Sequence, residues 1–189
     1  MPSWLAHIPA AVGVAAVAAP ERVTRRFWLT AAFCGILPDF DYLGAPFGIR
    51  GYSDVFGGHR GITHGIPFAI VVGSILAWAV SRDARSTRLR LRIALAVTLA
   101  LLTHGILDAM TDVGPRIAFF SPFSAERFTF PWHPIEVKTV RGGPELRRAF
   151  AILWNEFAWG GLPGLLLLWL ARRPKGPKGS DPLIGDQGV

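Results

Sequence analysis

Residues 91–111 read LRIALAVTLALLTHGILDAMT. The run approaches the roughly 20 residues that an α-helix needs to cross a bilayer. It is apolar until its far end, where His104 and Asp108 stand four residues apart. That spacing puts both on one face of a helix. Polar groups inside an apolar segment are costly unless they are partnered, and by default they mark function. The stretch therefore predicts a membrane helix that carries chemistry near one end. An imidazole and a carboxylate on one face can chelate a divalent metal. The alternative is a hydrogen-bonded His–Asp pair between packed helices.

Four further apolar stretches lie outward from it, at about 3–19, 24–38, 65–81 and 149–171. The expected fold is all-α: a polytopic helical membrane protein with about five transmembrane or membrane-inserted helices. The first two stretches are short and suit a tilted or partly inserted hairpin. The 189 residues are 51% hydrophobic and only 17% charged, below the roughly 25% of a soluble domain, and mean hydropathy is +0.36. Ala16-Val17-Ala18 looks cleavable, but no basic residue precedes the first stretch and His7 interrupts it, so it is read as a retained helix. The single cysteine, Cys34, excludes an internal disulfide and a Cys-based zinc site.

The net charge of +7 reads as topology rather than nucleic-acid binding. Arg22, Arg25, Arg26, Arg82, Arg85, Arg88, Arg90, Arg92, Arg172, Arg173, Lys175 and Lys178 lie in short segments that five spans put on one side. The positive-inside rule makes that side cytoplasmic. On the opposite side fall all five histidines and nine of the thirteen acids, including Asp54 and Asp112. Orientation was set from Arg and Lys alone, so this convergence is independent. The loop 112–148 is rich in aromatics (FFSPFSAERFTFPW) and reads as a structured outer lid. Residues 1–172 form one membrane-embedded unit. The tail 173–189 is Pro- and Gly-rich and is expected to be a disordered cytoplasmic segment.

Besides His104 and Asp108, three places supply candidate ligands. Asp39 and Asp41 follow Pro38, where an Asx-turn or helix cap is the competing role. His59 and His64 bracket the glycine-rich turn GGHRGITHG of 57–65, with Thr63 placed to cap the next helix. His7 begins the first helix. Glu156 lies inside the last and suits a ligand, a general base or a group that orients a ligand histidine. Arg60 suits an anionic substrate or a structural salt bridge, and His133 is a weaker site candidate. This mixed nitrogen and oxygen set fits zinc, and also manganese or iron.

With these motifs the chain resembles the bacterial inner-membrane metal-dependent hydrolases of the YdjM type, some of which are described as LexA-binding. The likeness rests on His7, Leu37-Pro38-Asp39-x-Asp41, His59-Arg60-Gly61-x-Thr63-His64, His104-x-x-x-Asp108, and Phe120-Ser121-Pro122-Phe123-Ser124 with Arg127-Phe128, across about residues 1–165. More distantly it is similar to zinc-dependent phospholipase C and the P1-type nucleases. That similarity implies zinc ligands among Asp39, Asp41, His59, His64, His104 and Asp108. Ile152, four residues before Glu156, breaks their His-x-x-x-Glu pair, and their N-terminal Trp ligand is missing although Trp4 lies near the start.

The expected function is a membrane-embedded hydrolase in which metal-activated water attacks a phosphoester, lipid or lipid-linked. The expected metal ligands are His7, Asp39, Asp41, His59, His64, His104 and Asp108, serving one to three ions. Asp41 and Glu156 are the catalytic candidates, and Arg60, Arg127 and Ser124 the substrate-binding ones. The site should face the periplasm, in an inner-membrane protein. The alternative is a non-catalytic membrane interaction or scaffold protein with a structural polar cluster. Five histidines are too few for a di-iron desaturase, and the lack of an internal repeat weighs against a transporter.

Overall fold

The structure, a computed structural model, describes residues 3–47, 58–84, 86–137 and 144–173. Asp54, Arg85, Lys175, Lys178 and the tail expected to be disordered beyond Arg173 lie outside the described residues.

Each apolar stretch folds as a helix. Helix α1 (Trp4–Ala18) is alanine-rich, a composition that favours helix. Helix α2 (Arg25–Cys34) starts at Thr24, whose hydroxyl accepts the Phe27 N–H at 3.3 Å. A 3-10 segment, Leu37–Phe47, follows. A second short 3-10 turn, Ile62–His64, leads into α3 (Ile66–Ser81), with Pro67 in its first turn, where no N–H is needed. Helix α4 (Thr87–Ala109) carries the His104–Asp108 pair near its C-terminus. Helix α5 (Glu145–Glu156), a π turn (Phe157–Gly161) and α6 (Leu162–Arg172) run on as one rod of 28 residues. The widened turn coincides with Gly160, Gly161 and Pro163, residues that weaken an α-ladder. Among the described residues there is no strand, only isolated bridges between Thr111 and Ile135 and between Ile117 and Phe128.

Helix α1 is the central element and packs against α2, α4 and α6. Its small residues make this possible. The backbones of Gly13 and Gly164 touch, Gly164 meets Pro9 and Ala10, and Gly160 lies on Ala6. Small residues three and four apart allow such approach, the packing mode of helices in lipid. The interior is mostly alanine: Ala11, Ala15, Ala31, Ala96 and Ala100 surround Val97 and Phe27. Large apolar side chains point outward instead, among them Val17, Val71, Ile75, Trp78, Leu95 and Trp169. Small residues inside and large ones outside is the arrangement that a lipid solvent permits and water penalises.

Length supports part of the expectation of about five transmembrane or membrane-inserted helices. Among the described residues only Thr87–Ala109 and the Glu145–Arg172 rod are long and apolar enough to cross a membrane. Helices α1 and α3, of 15 and 16 residues, rise only about 22–24 Å against a hydrocarbon core of roughly 30 Å. Helix α2, with 10 residues and two leading arginines, is shorter still.

The outer loop is also shorter than expected, because Glu145 already belongs to α5. Residues 110–137 fold down onto the end of α4. There Ile117, Ile135 and Ser121 are wholly buried, and the Phe130 N–H donates to the Ala109 carbonyl at 3.2 Å.

Candidate metal centre

Four segments meet where α4 ends. Proline stops α2 and turns the chain into the Leu37–Phe47 segment, which presents Asp39 and Asp41. The glycine-bounded turn at 61–65 brings His64 against α4. A Cβ at Gly105 would sit 2.7 Å from the His64 carbonyl oxygen, so this contact requires glycine. A Cβ at Gly35 would lie 2.7 Å from the His7 carbonyl oxygen, which brings the end of α2 onto α1.

Asp39, His64, His104 and Asp108 each offer one ligand atom, all within 4.8 Å of one another. Asp39 Oδ1 lies 3.3 Å from His104 Nε2 and 3.8 Å from His64 Nε2. Asp108 Oδ2 lies 3.3 Å from His64 Nε2 and 4.0 Å from His104 Nε2. Ligands about 2.1 Å from a tetrahedral zinc stand about 3.4 Å apart. Two of the four distances, both 3.3 Å, match that edge, and the other two, 3.8 and 4.0 Å, are somewhat longer.

The hydrogen bonds behind the ligands sharpen this reading. His104 Nδ1 lies 2.8 Å from the Gly35 carbonyl, an acceptor only, so Nδ1 carries the proton. In the neutral ring Nε2 is then a bare lone pair facing the Asp39 carboxylate. The Thr63 hydroxyl donates to Asp41 Oδ2 at 3.0 Å, so its oxygen accepts from His64 Nδ1, also at 3.0 Å. His64 Nε2 is left in the same condition. His64 Nε2, His104 Nε2, Asp39 Oδ1 and Asp108 Oδ1 are buried without a hydrogen-bond partner among the described residues, and Asp108 Oδ2 has the Arg60 guanidinium beside it at 2.9 Å. Converging acceptors need a cation between them, either a proton or a metal ion. Backing of the far ring nitrogen by a fixed acceptor is the usual support of a histidine ligand.

Electrostatics agree. Burial raises the Asp39 carboxyl, but the His104 and His64 imidazoles beside it, which hold it ionised when they carry the bridging proton, outweigh burial and keep Asp39 well below the usual carboxylate range. Burial alone would lower His64. The carboxylates of Asp108 and Asp39 outweigh it and push the imidazole up to about 9. Asp39 is the accessible member, 25% exposed, against 0–1% for His64, His104 and Asp108. Solvent reaches the cluster from its side.

A second group, Asp41, His59 and His64, has a different character. Asp41 Oδ1 pairs with His59 Nδ1 at 3.0 Å, and Asp41 Oδ2 accepts the Arg60 N–H at 3.1 Å. These atoms are already engaged, so Asp41 acts as the carboxylate that orients two rings. Tyr42 lies against the His59 ring with centroids 4.5 Å apart, and His59 Nε2 is buried without a partner. His7 stacks on His104 with centroids 3.9 Å apart, and its Nε2 is 3.7 Å from Asp108 Oδ1. It stands beside the four ligand atoms.

The other expected site residues each have partners within the protein. Arg60, expected at a substrate anion, is 2% exposed and turned inward. Its Nε is 2.9 Å from Asp108 Oδ2, and its terminal nitrogens donate to the Val113 and Pro115 carbonyls and the Thr111 hydroxyl. Gly114, at φ +95°, lies against the guanidinium, which leaves no room for a Cβ. Arg60 itself holds φ +63°, a region strained for a side-chain-bearing residue. Arg127 donates to the Arg60 and Arg116 carbonyls and so braces that turn. Glu156, expected as a catalytic group, accepts the Ser3 N–H at 2.7 Å and ties the start of α1 to α5. Ser124 accepts the Glu126 N–H within its own turn, and His133 pairs with Thr129.

Sequence reasoning missed Gly35, Gly105, Thr111 and Gly114. Their only signal is that each lies within a few residues of a ligand or its backing, and glycine spacing alone does not say what it clears.

The whole arrangement lies within the stretch that a family model matches. The family model described as "YdjM inner membrane protein" matches residues 1–173. The Inner membrane protein YbcI of Escherichia coli (strain K12) is 33% identical over 183 residues, covering 92% of this chain and all of that protein. No solved structure matches. Both descriptions place their proteins in the inner membrane and neither states an activity. A match over nearly the full length makes this chain a member of the YdjM inner membrane protein family.

Proposed function

We propose that this protein is a multi-pass inner-membrane hydrolase that uses zinc bound by Asp39, His64, His104 and Asp108 to hydrolyse a phosphoester of a lipid or lipid-linked substrate. The observation that carries the reading is the convergence of buried lone pairs at distances close to a tetrahedral edge, each histidine backed through its other nitrogen. A bound zinc supplies Lewis acidity that makes water a nucleophile near neutral pH. The chain's own groups do the positioning. Asp41 fixes the His59 and His64 rings, Arg60 holds Asp108 from behind, and Glu156 anchors the helix that carries His7. Asp39 marks the accessible side, where substrate enters. The exposed Phe120, Phe123 and Trp132 at the same end give that entrance an apolar rim suited to a lipid. The basic segments at the other end support a cytoplasmic C-terminus and a periplasmic site.

The test is metal analysis of protein purified in detergent, with hydrolysis assays on a phosphodiester and on phospholipids. Near-stoichiometric zinc is expected, with activity lost in Asp39→Asn and His104→Ala. Metal-free, inactive protein whose variants change only stability would overturn the proposal. A second reading, a non-catalytic scaffold with a structural polar cluster, draws on the 2.9 Å Arg60–Asp108 pair, which by itself neutralises one carboxylate. It predicts that the same variants leave cellular function intact.

A further inference from the structure

The end of the bundle opposite the metal centre holds a second polar feature. Arg92 on α4 is 16 residues before Asp108, so the two are about 24 Å apart along the helix. There a cavity of about 820 Å³ opens between the C-terminal end of α1, the N-terminal part of α4 and the C-terminal end of α6. Arg92, Arg172 and Arg173 line it, with Glu21 as the acid on its wall and Val17, Leu167 and Leu170 as its apolar flank.

These arginines are held in place. Arg92 donates to the Ala19 carbonyl at 3.0 Å. Arg172 donates through one terminal nitrogen to the Pro20 and Glu21 carbonyls at 3.1 and 2.9 Å, and its guanidinium lies 4.8 Å from the centre of the Trp28 ring. Its Nε and other terminal nitrogen are buried and have no hydrogen-bond partner among the described residues. Those two nitrogens form the fork that matches a phosphate or carboxylate edge. Arg173 stacks on Trp169 with 4.4 Å to the ring centre. One acid against three fixed guanidinium groups leaves the cavity positive.

We infer that this cavity binds the phosphate of an anionic lipid headgroup, with the Arg172 fork on the phosphate and the acyl chains along Val17, Leu167 and Leu170. The apolar flank favours a lipid over a free anion. Val17 and Leu170 are themselves exposed, so the apolar flank of the cavity opens onto the outer surface of the helices, where acyl chains would lie. Basic pockets between helices on the cytoplasmic side are suited to such headgroups. The site is separate from the proposed catalytic centre and does not depend on it.

The test is titration of the full chain in neutral detergent with phosphatidylglycerol, phosphatidylcholine or inorganic phosphate, read by tryptophan fluorescence and thermal unfolding. Phosphatidylglycerol should bind and raise the melting temperature, while phosphatidylcholine and millimolar phosphate should do neither. Each arginine near the surface accounts for about a fivefold change in affinity. Arg173→Gln and Arg92→Gln should therefore each weaken binding about fivefold, and Arg172→Gln more. Arg88→Gln, the same charge change at an exposed position outside the cavity, should leave it unchanged. Arg172→Gln also removes two backbone contacts, so the Arg173 and Arg92 variants decide the matter if it fails to fold. Equal binding of both lipids, or equal loss in Arg88→Gln, would overturn the site. Phosphate binding as strongly as the lipid would overturn the lipid assignment.

Discussion

Removing metal from the wild-type protein is the most direct perturbation of the proposed centre. Four acceptor contacts of 3.3, 3.3, 3.8 and 4.0 Å lie in a pocket whose members are, apart from Asp39, fully buried. Each buried polar atom left unsatisfied costs about 1–3 kcal/mol. Without metal, the cluster must take up protons or admit water to survive. A metal present at a thousand times its dissociation constant stabilises the folded state by about 4 kcal/mol. For a chain of this size each kilocalorie moves the melting temperature by about 2–4 °C. Chelation should therefore lower the midpoint by about 8–16 °C, and added zinc should restore it. His104→Ala should melt at one temperature with or without chelator, because one of the four ligands is gone. Detergent-solubilised protein followed by tryptophan fluorescence or scanning calorimetry gives both numbers. A wild-type midpoint that chelator does not move would refute the metal reading and leave a proton-bridged cluster.

Other outcomes follow from the same geometry. The metal-free His64 imidazole, raised to about 9 from an ordinary 6.5, must lose its proton to accept a metal. Apparent zinc affinity measured by calorimetry should climb about tenfold per pH unit between pH 7 and 9 and level off above. Stability of the metal-free protein should run the other way, since a raised histidine stabilises fully below pH 6.5 and loses that contribution as pH rises through 9. Gly105→Ala, whose methyl would meet the His64 carbonyl oxygen at 2.7 Å, should push the His64 turn off α4 and weaken zinc binding about 10–100-fold, with the family of helices intact by circular dichroism. The buried Cys34 is the sole cysteine, so single cysteines placed at Phe123 and Arg88 report sidedness. An impermeant thiol reagent should label the Phe123 variant from the periplasm and the Arg88 variant only after the membrane is opened. Labelling of both from one side would refute the proposed topology.

Much of this protein is written locally. Apolar run length marks all five helical stretches to within a few residues, because side-chain solvation is decided residue by residue. The four-residue spacing of His104 and Asp108 already put both on one face, and the clustering of histidines and acids away from the arginines pointed to a site at one end. What the sequence could not determine was the division of labour within that set. Asp39 and Asp41 are two residues apart, yet one faces unpaired imidazole nitrogens and the other is consumed by His59, Thr63 and the Arg60 amide. Arg60 looks free in sequence and is caged in space, because its partner Asp108 and the Val113 and Pro115 carbonyls arrive from about fifty residues away. Those assignments depend on distances between groups that only the packed helices bring together. The packing in turn depends on glycines at 13, 35, 105 and 164, whose significance is the absence of a Cβ at a contact the chain does not announce.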